Sequence, residues 1–328
     1  MNSLKKIITL ILTIGLLQSC NSQTKNKEKQ MDESITEITS QLKQYKEQPS
    51  HHAEVNSSAC SFQLLINDMP AVSHYNQGGL SVSMPINPLI LKSGKQTYTL
   101  RLYPGYYKED KELKQVKALV KETKLNFSIS VKHWNDSNKK SQDIFVFTLP
   151  SKENKDGFKE FDFAGQTYYE FNGVFDATVP YELKGWSDGE KFDTKKLSDL
   201  EDEVLSAYAK LGNDMTKKDV GAEYKFAKTR TTEMAVAMYL DKNAIEASYQ
   251  NDTEEYNSKD FTIQPFENYK MVIYGDGKVV ALERTDSKYK GQSALRAKFV
   301  NDEGKKRVNF YNLLLYRPVK NGPLVPIR

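Results

Sequence analysis

The chain is poor in the side chains that do most polar catalysis. Its 328 residues include two cysteines, Cys20 and Cys60, and four histidines, His51, His52, His74 and His133. Everything after residue 133 therefore lacks a histidine base, a cysteine nucleophile and a nitrogen–sulfur zinc set of its own. No GxGxxG, GxxxxGK[ST] or HExxH stretch occurs, so the common phosphate-cradling and zinc-hydrolase signatures are missing; Gly185-Trp186-Ser187-Asp188-Gly189 matches GxSxG, but no histidine follows it to complete a triad in the Ser-Asp-His order. Charge of one sign is also lacking. Lys and Arg number 47 against 43 Asp and Glu, without the basic stripe a nucleic-acid binder shows. No apolar run approaches the 18 or more residues of a membrane-spanning helix, and no internal repeat links the two halves.

What is present begins at the amino terminus. Lys5 and Lys6 precede a largely apolar run from Ile7 to Leu17. A helix needs about 20 residues to cross about 30 Å of hydrocarbon, so this run fits the h-region of an export signal instead. It ends Leu17-Gln18-Ser19-Cys20, and a polar, lysine-rich tract follows to Gln30.

In these residues the chain resembles a bacterial lipoprotein precursor. Leu17, Ser19 and Cys20 fit the lipobox, and Gln18 departs from its usual small or aliphatic residue. The resemblance implies that residues 1–19 are a signal peptide. It implies that Cys20 carries a diacylglycerol on sulfur and a fatty acyl (palmitate-type) group on its freed amine. The lipid bilayer would then be a partner and the cell envelope the address, with the body facing periplasm or cell surface. Two or three acyl chains at about 0.8 kcal/mol per buried methylene anchor durably. Asn21 leaves the membrane and its face open. With Cys20 committed to lipid, Cys60 has no partner for an intramolecular disulfide; placed before the alternation of Phe62, Leu64 and Ile66, it reads as a small buried apolar residue.

Residues 20–55 read as a lipidated tether and a short helix. Met31, Ile35, Ile38, Leu42 and Tyr45 recur at helical spacing until Pro49, a stripe too short for a coiled coil. The period then becomes two. Phe62/Leu64/Ile66, Leu80/Val82/Met84, Tyr98/Leu100/Leu102 and Leu125/Phe127/Ile129/Val131 alternate with polar residues. Ile144–Leu149 reads as an inner strand, Val174–Leu183 as a last one, Lys92–Lys95 as a hairpin connection, and Leu113, Val116 and Val120 as a short helix. Residues 56–183 are thus expected to form an antiparallel β-sandwich. Residues 184–192, around Lys184-Gly185-Trp186-Ser187-Asp188-Gly189, read as a linker. Residues 193–328 open with three helical stretches and close with two hairpins, around Gly275-Asp276-Gly277 and Asn301–Gly304. The predicted class is mainly β plus α+β: a sandwich, then helices followed by an antiparallel sheet. That last order is similar to the cone-shaped folds of the nuclear-transport-factor-like superfamily, in element order alone.

Candidate sites are few. Tyr106, Tyr107 and Trp186, placed at loops or strand ends, are the candidate binding residues, since such rings serve recognition. His51 and His52 point apart in an extended chain and so chelate one metal poorly, with or without Cys60, and Lys139 and Lys140 oppose a calcium ion at Asp136, Asn138 and Asp143. Glu201, Asp202 and Glu203 sit in a helix's first turn, where they complement its dipole. No catalytic residue, metal or cofactor is assigned. The expectation is a membrane-anchored, non-enzymatic binding or interaction protein with a protein partner and no nucleic acid, one version being an immunity-type lipoprotein. The alternative is a carboxylate- and tyrosine-based envelope hydrolase or small-ligand domain in the second half. That alternative expects a pocket lined by acids of shifted pKa.

Overall fold

In the computed structural model the described residues are 33–328, apart from 111, 134, 137 and 194. Strand exceeds helix, 39% to 22%, and the class is mainly β with an α+β second half. Among the described residues no helix is long and apolar enough to cross a membrane. The lipobox and the signal run lie outside the described residues.

The first half is a sandwich of two four-stranded antiparallel sheets. β1 (Pro49–Ser58), β2 (Cys60–Ile66), β3 (Met69–His74) and β4 (Leu80–Pro85) come first. A 3₁₀ turn (Asn87–Leu89) leads to β5 (Gly94–Pro104). Next come β6 (Tyr106–Glu109), β7 (Glu112–Gln115), β8 (Lys124–His133), β9 (Gln142–Thr148), β10 (Ser151–Glu153), β11 (Lys159–Phe161) and β12 (Tyr169–Ala177). One sheet runs β4-β1-β8-β9 and the other β12-β5-β2-β3. Phe62, Leu64 and Ile66 face Leu102, Leu100 and Tyr98 across the β2–β5 ladder. The Tyr98 ring then meets Phe127 of the opposite sheet edge-on at 5.2 Å. Opposite Tyr98 stands Gly173, where a Cβ would come within 2.6 Å of that ring; the glycine lets the tyrosine lie over its own sheet.

Several expectations are corrected. The first strand starts at Pro49 rather than near residue 56. His51 and His52 lie within it and are buried, and burial holds the His51 imidazole down at about 4, so it is neutral. Tyr106–Gln115 is a hairpin, not part of a helix. Its apolar residues are too sparse to cover a helix face, and each strand is only four residues long. Lys92–Lys95 joins no hairpin, because β4 and β5 lie in different sheets. Ile144–Leu149 is an edge strand: Phe145 and Phe147 pack inward on Tyr98, while Ile144 and Val146 are exposed. The last sandwich strand begins at Tyr169, upstream of Val174.

The second half holds α2 (Leu197–Thr216), α3 (Val220–Phe226), α4 (Lys228–Ala237) and α5 (Lys242–Asn257). A first helix, α1 (residues 33–39), packs on this half, with Ile35 and Ile38 buried in its core. After α5 come β13 (Lys259–Ile263), β14 (Tyr269–Tyr274), β15 (Val279–Arg284), β16 (Arg296–Val300), β17 (Lys306–Phe310), β18 (Leu315–Tyr316) and β19 (Val325–Pro326). They form two antiparallel sheets, β13-β16-β17 and β14-β15-β18-β19, where the sequence pattern predicts one. Leu200, Val204, Tyr208, Leu211 and Met215 make the buried stripe of α2. The Tyr208 hydroxyl donates to Leu313 O at 2.7 Å and accepts from Leu282 N at 2.9 Å, which pins α2 to the sheet.

The halves share one interior. Trp186, Tyr274, Val279 and Tyr316 belong to the same apolar cluster as the sandwich core. All of β2 is buried, because β14 and β15 cover its outer side. There Arg101 Nη1 donates to Gln63 Oε1 at 3.2 Å, and Gln63 Nε2 to the Tyr274 hydroxyl at 2.9 Å. Asn87 ties β1 to α4: its Oδ1 accepts from His51 N at 2.7 Å, and its Nδ2 donates to Pro49 O and Ala237 O at 3.0 Å. Residues 184–192 are therefore a packed seam and not a solvated linker.

Candidate functional site

The residues singled out from sequence do not converge. Trp186 is 4% exposed, its ring stacked under the Arg328 guanidinium at 5.3 Å. It is a core residue of the seam and has no free face to offer a partner, because the glycines and short side chains around it let the second half close over it. Tyr106 is half-buried on β6, where Lys290 reaches its hydroxyl at 3.3 Å. Tyr107 is 42% exposed and, as its neighbour in a strand, points the other way. Cys20 lies outside the described residues. Cys60 is fully buried, and burial pushes its thiol up to about 12, which makes it inert. Among the described residues no group of three or more His, Cys, Asp and Glu could hold a metal ion.

A polar cavity enclosed by helices lies elsewhere, among α2, α3, α4, α5 and the chain after β17. It has a volume of about 420 Å³, within the range of small-molecule sites. One wall is apolar, from Leu211, Met215, Ala235 and Ile245. The other carries Glu223, Arg230 and Asp252 with Tyr224, Tyr256 and Tyr311.

Local sequence explains how these groups come to face inward. Asp219 caps α3 by accepting from Ala222 N at 3.0 Å. The phase it sets turns Val220 and Tyr224 into the core and leaves Glu223 half-buried beside them. Asp241 caps α5 in the same way, through Ala244 N at 2.8 Å. Ile245, Tyr249 and Tyr256 are the buried stripe of α5. Asp252 falls on that stripe, four residues before Tyr256 and three after Tyr249.

The two acids are held crosswise. Tyr256 of α5 donates to Glu223 of α3 at 2.5 Å, and Tyr224 of α3 donates to Asp252 of α5 at 3.2 Å. Burial pushes the Glu223 carboxyl up to about 7, with the charge of Asp252 adding to it and Tyr256 and Arg230 opposing. Burial likewise raises Asp252 to about 6, helped by Glu255. Both tyrosine hydroxyls are driven well above their ordinary range, first by burial. Tyr311 donates to Glu255, which also accepts from Asn309 Nδ2 at 3.0 Å. Arg230 is the cation of the cavity. Its Nε is buried and has no hydrogen-bond partner among the described residues.

A second cavity of about 350 Å³ opens at the seam between β3–β4 and β15. Its one charged group, Glu283, already accepts the Tyr274 hydroxyl of the seam network. The helical cavity differs in holding an uncommitted cationic donor beside two acids that burial keeps partly protonated at neutral pH. Such a lining can bind and orient a charged ligand. It contains no histidine and no cysteine. Sequence reasoning placed an acid- and tyrosine-lined pocket in this half as an alternative but named none of these residues. The usable signal is a carboxylate on an apolar helical stripe, as at Asp252.

No protein-family model, no curated protein and no solved structure matches the chain.

Proposed function

We propose that the chain is a lipid-anchored envelope protein that captures a small polar ligand in the cavity between α3 and α5. The observation that carries this reading is the pairing of Glu223 and Asp252 with Tyr256 and Tyr224 around a partly apolar cavity that Arg230 also lines. Keeping two acids buried with raised pKa values works against folding, and such groups cluster at sites of function. The anchor reading rests on the lipobox residues and the polar tract behind them.

A thermal-shift screen of amino acids, amines, sugars and nucleosides on the membrane-extracted chain tests the capture. At least one class is expected to raise the melting temperature of the wild type. Leu240 stands exposed at the rim, and Leu240→Trp, which crowds the mouth without touching the core, is expected to abolish the shift. Shifts of equal size in both proteins would place binding elsewhere. Cys20→Ser is expected to move the protein from the membrane pellet to the soluble fraction.

A second reading, a protein partner, is favoured by β9. This strand ends its sheet, pairs on one side with β8, and shows Ile144 at 38% and Val146 at 63% exposure. An apolar edge is a template for an added strand. Val146→Lys is expected to leave stability within about 0.5 kcal/mol and to weaken capture of a stoichiometric partner from envelope extracts. Unchanged capture would remove the edge from consideration.

A further inference from the structure

Resting on the reading of the helical cavity as a ligand site, we infer that its ligand is a zwitterion carrying an ammonium and a carboxylate close together, as in a free amino acid or the end groups of a short peptide. Two observations, on different helices, carry this. The first is the acid pair. Glu223 and Asp252 each accept one tyrosine hydroxyl, at 2.5 and 3.2 Å. A carboxylate has room for about four acceptor contacts, so both retain lone pairs for an N–H donor. The second is Arg230, from a different helix, α4. Its guanidinium nitrogen Nε is buried without a partner, although arginine's planar fork is suited to bidentate carboxylate recognition. Arg230 lines the cavity, and a ligand carboxylate supplies its guanidinium with an acceptor.

The combination excludes simpler ligands. A pure cation satisfies the acids but is repelled by Arg230. A pure anion satisfies Arg230 but meets two carboxyl groups. A neutral sugar forms an ion pair with neither the acids nor Arg230. A zwitterion alone matches both. The apolar wall of Leu211, Met215, Ala235 and Ile245 then receives the ligand's side chain, and the volume of about 420 Å³ admits a free amino acid or a very short peptide.

Calorimetric titration of the full chain in detergent decides this. The probes are leucine, phenylalanine, lysine and glutamate. Each is compared with its decarboxylated amine, its deaminated acid, and glucose as a neutral control. At least one amino acid is expected to bind at least tenfold more tightly than both of its single-charge analogues. Arg230→Gln is expected to bring that amino acid down to the level of its amine, and Glu223→Gln to bring it towards its acid. An amine that binds as tightly as its parent amino acid overturns the zwitterion while leaving the cavity a cation site. Binding of glucose in preference to every amino acid overturns the ligand class but keeps the ligand site. No binding by any probe, with no shift in the broader screen, overturns the site itself. If Arg230→Gln does not fold, the wild-type comparison of each amino acid with its amine still decides.

Discussion

Glu233→Ala is expected to remove about 3–5 kcal/mol of unfolding free energy, the usual loss when one partner of a buried ion pair is deleted. Glu233 on α4 accepts from Arg328 Nη1 at 2.8 Å. The two side chains are 13% and 3% exposed. The same carboxylate accepts from Gly185 N at 2.9 Å, so it fastens the seam from two sides. Without it the Arg328 guanidinium keeps its bond from Nε to Pro88 O at 2.5 Å and its place over Trp186, but its charge is uncompensated. Burial already holds that guanidinium below its ordinary pKa. Domains of ordinary stability unfold with about 5–15 kcal/mol, so the loss is a large share of the whole. Urea denaturation measures it directly. A companion Arg328→Met in the same chain is expected to recover much of the loss, since an apolar replacement leaves no orphaned charge. A loss below about 1 kcal/mol would mean that water reaches the pair.

Glu223→Gln is expected to act in the opposite direction on stability while impairing binding. The folded-state pKa of Glu223 is raised from 4.5 to about 7. Between those values the folded chain holds more protons than the unfolded one, so stability falls as pH rises through this window and stays low above it. At about 1.4 kcal/mol per pKa unit the penalty above pH 7 is about 3 kcal/mol. The amide carries no such penalty and still accepts from Tyr256. The variant is therefore expected to be more stable than wild type above pH 7, by up to about 3 kcal/mol, and no more stable at pH 4. The groups facing Glu223 are Asp214 of α2, Arg230 of α4, and Asp252 and Tyr256 of α5. Asp252, raised to about 6, adds a fall of the same sign at lower pH that survives in the variant. Melting temperatures of both proteins from pH 4 to 8.5 check this. Parallel curves would show that Glu223 is solvated.

These two positions show what a sequence does and does not display. The β14–β15 hairpin is readable because Gly275-Asp276-Gly277 supplies the left-handed backbone the turn needs, with φ of 60°, 56° and 87°. The stripe of α2 is readable because local periodicity reports a buried face. β1 is masked by His51, His52 and Glu54, which look like a polar tether until Asn87 and the opposite strands supply their partners. Trp186 looks like an exposed aromatic because its cover, the Arg328 side chain and the β14–β15 turn, lies far along the chain. The edge character of β9 follows from sheet order, which periodicity does not encode. The cavity falls between these cases. Glu223 and Asp252 are separated by a helix and a half, and only the packing of α3 on α5 makes them neighbours. Yet Asp252 interrupts the stripe Ile245–Tyr249–Tyr256, and a charge at a core position is a departure from patterning that marks a site in advance.

Proton release tests most directly whether the cavity works by charge. Near pH 7 about half of Glu223 is protonated, and an ammonium placed beside it favours the ionised form. Titrating the tightest-binding probe into the full chain at pH 7, in two buffers of different ionisation enthalpy, counts the protons exchanged. A fraction of a proton is expected to leave per ligand bound, and a clearly smaller fraction, from Asp252 alone, in Glu223→Gln. Binding with no proton released in the wild type, or a release in the variant as large as in the wild type, would contradict the assignment of this cavity as a charge-reading ligand site.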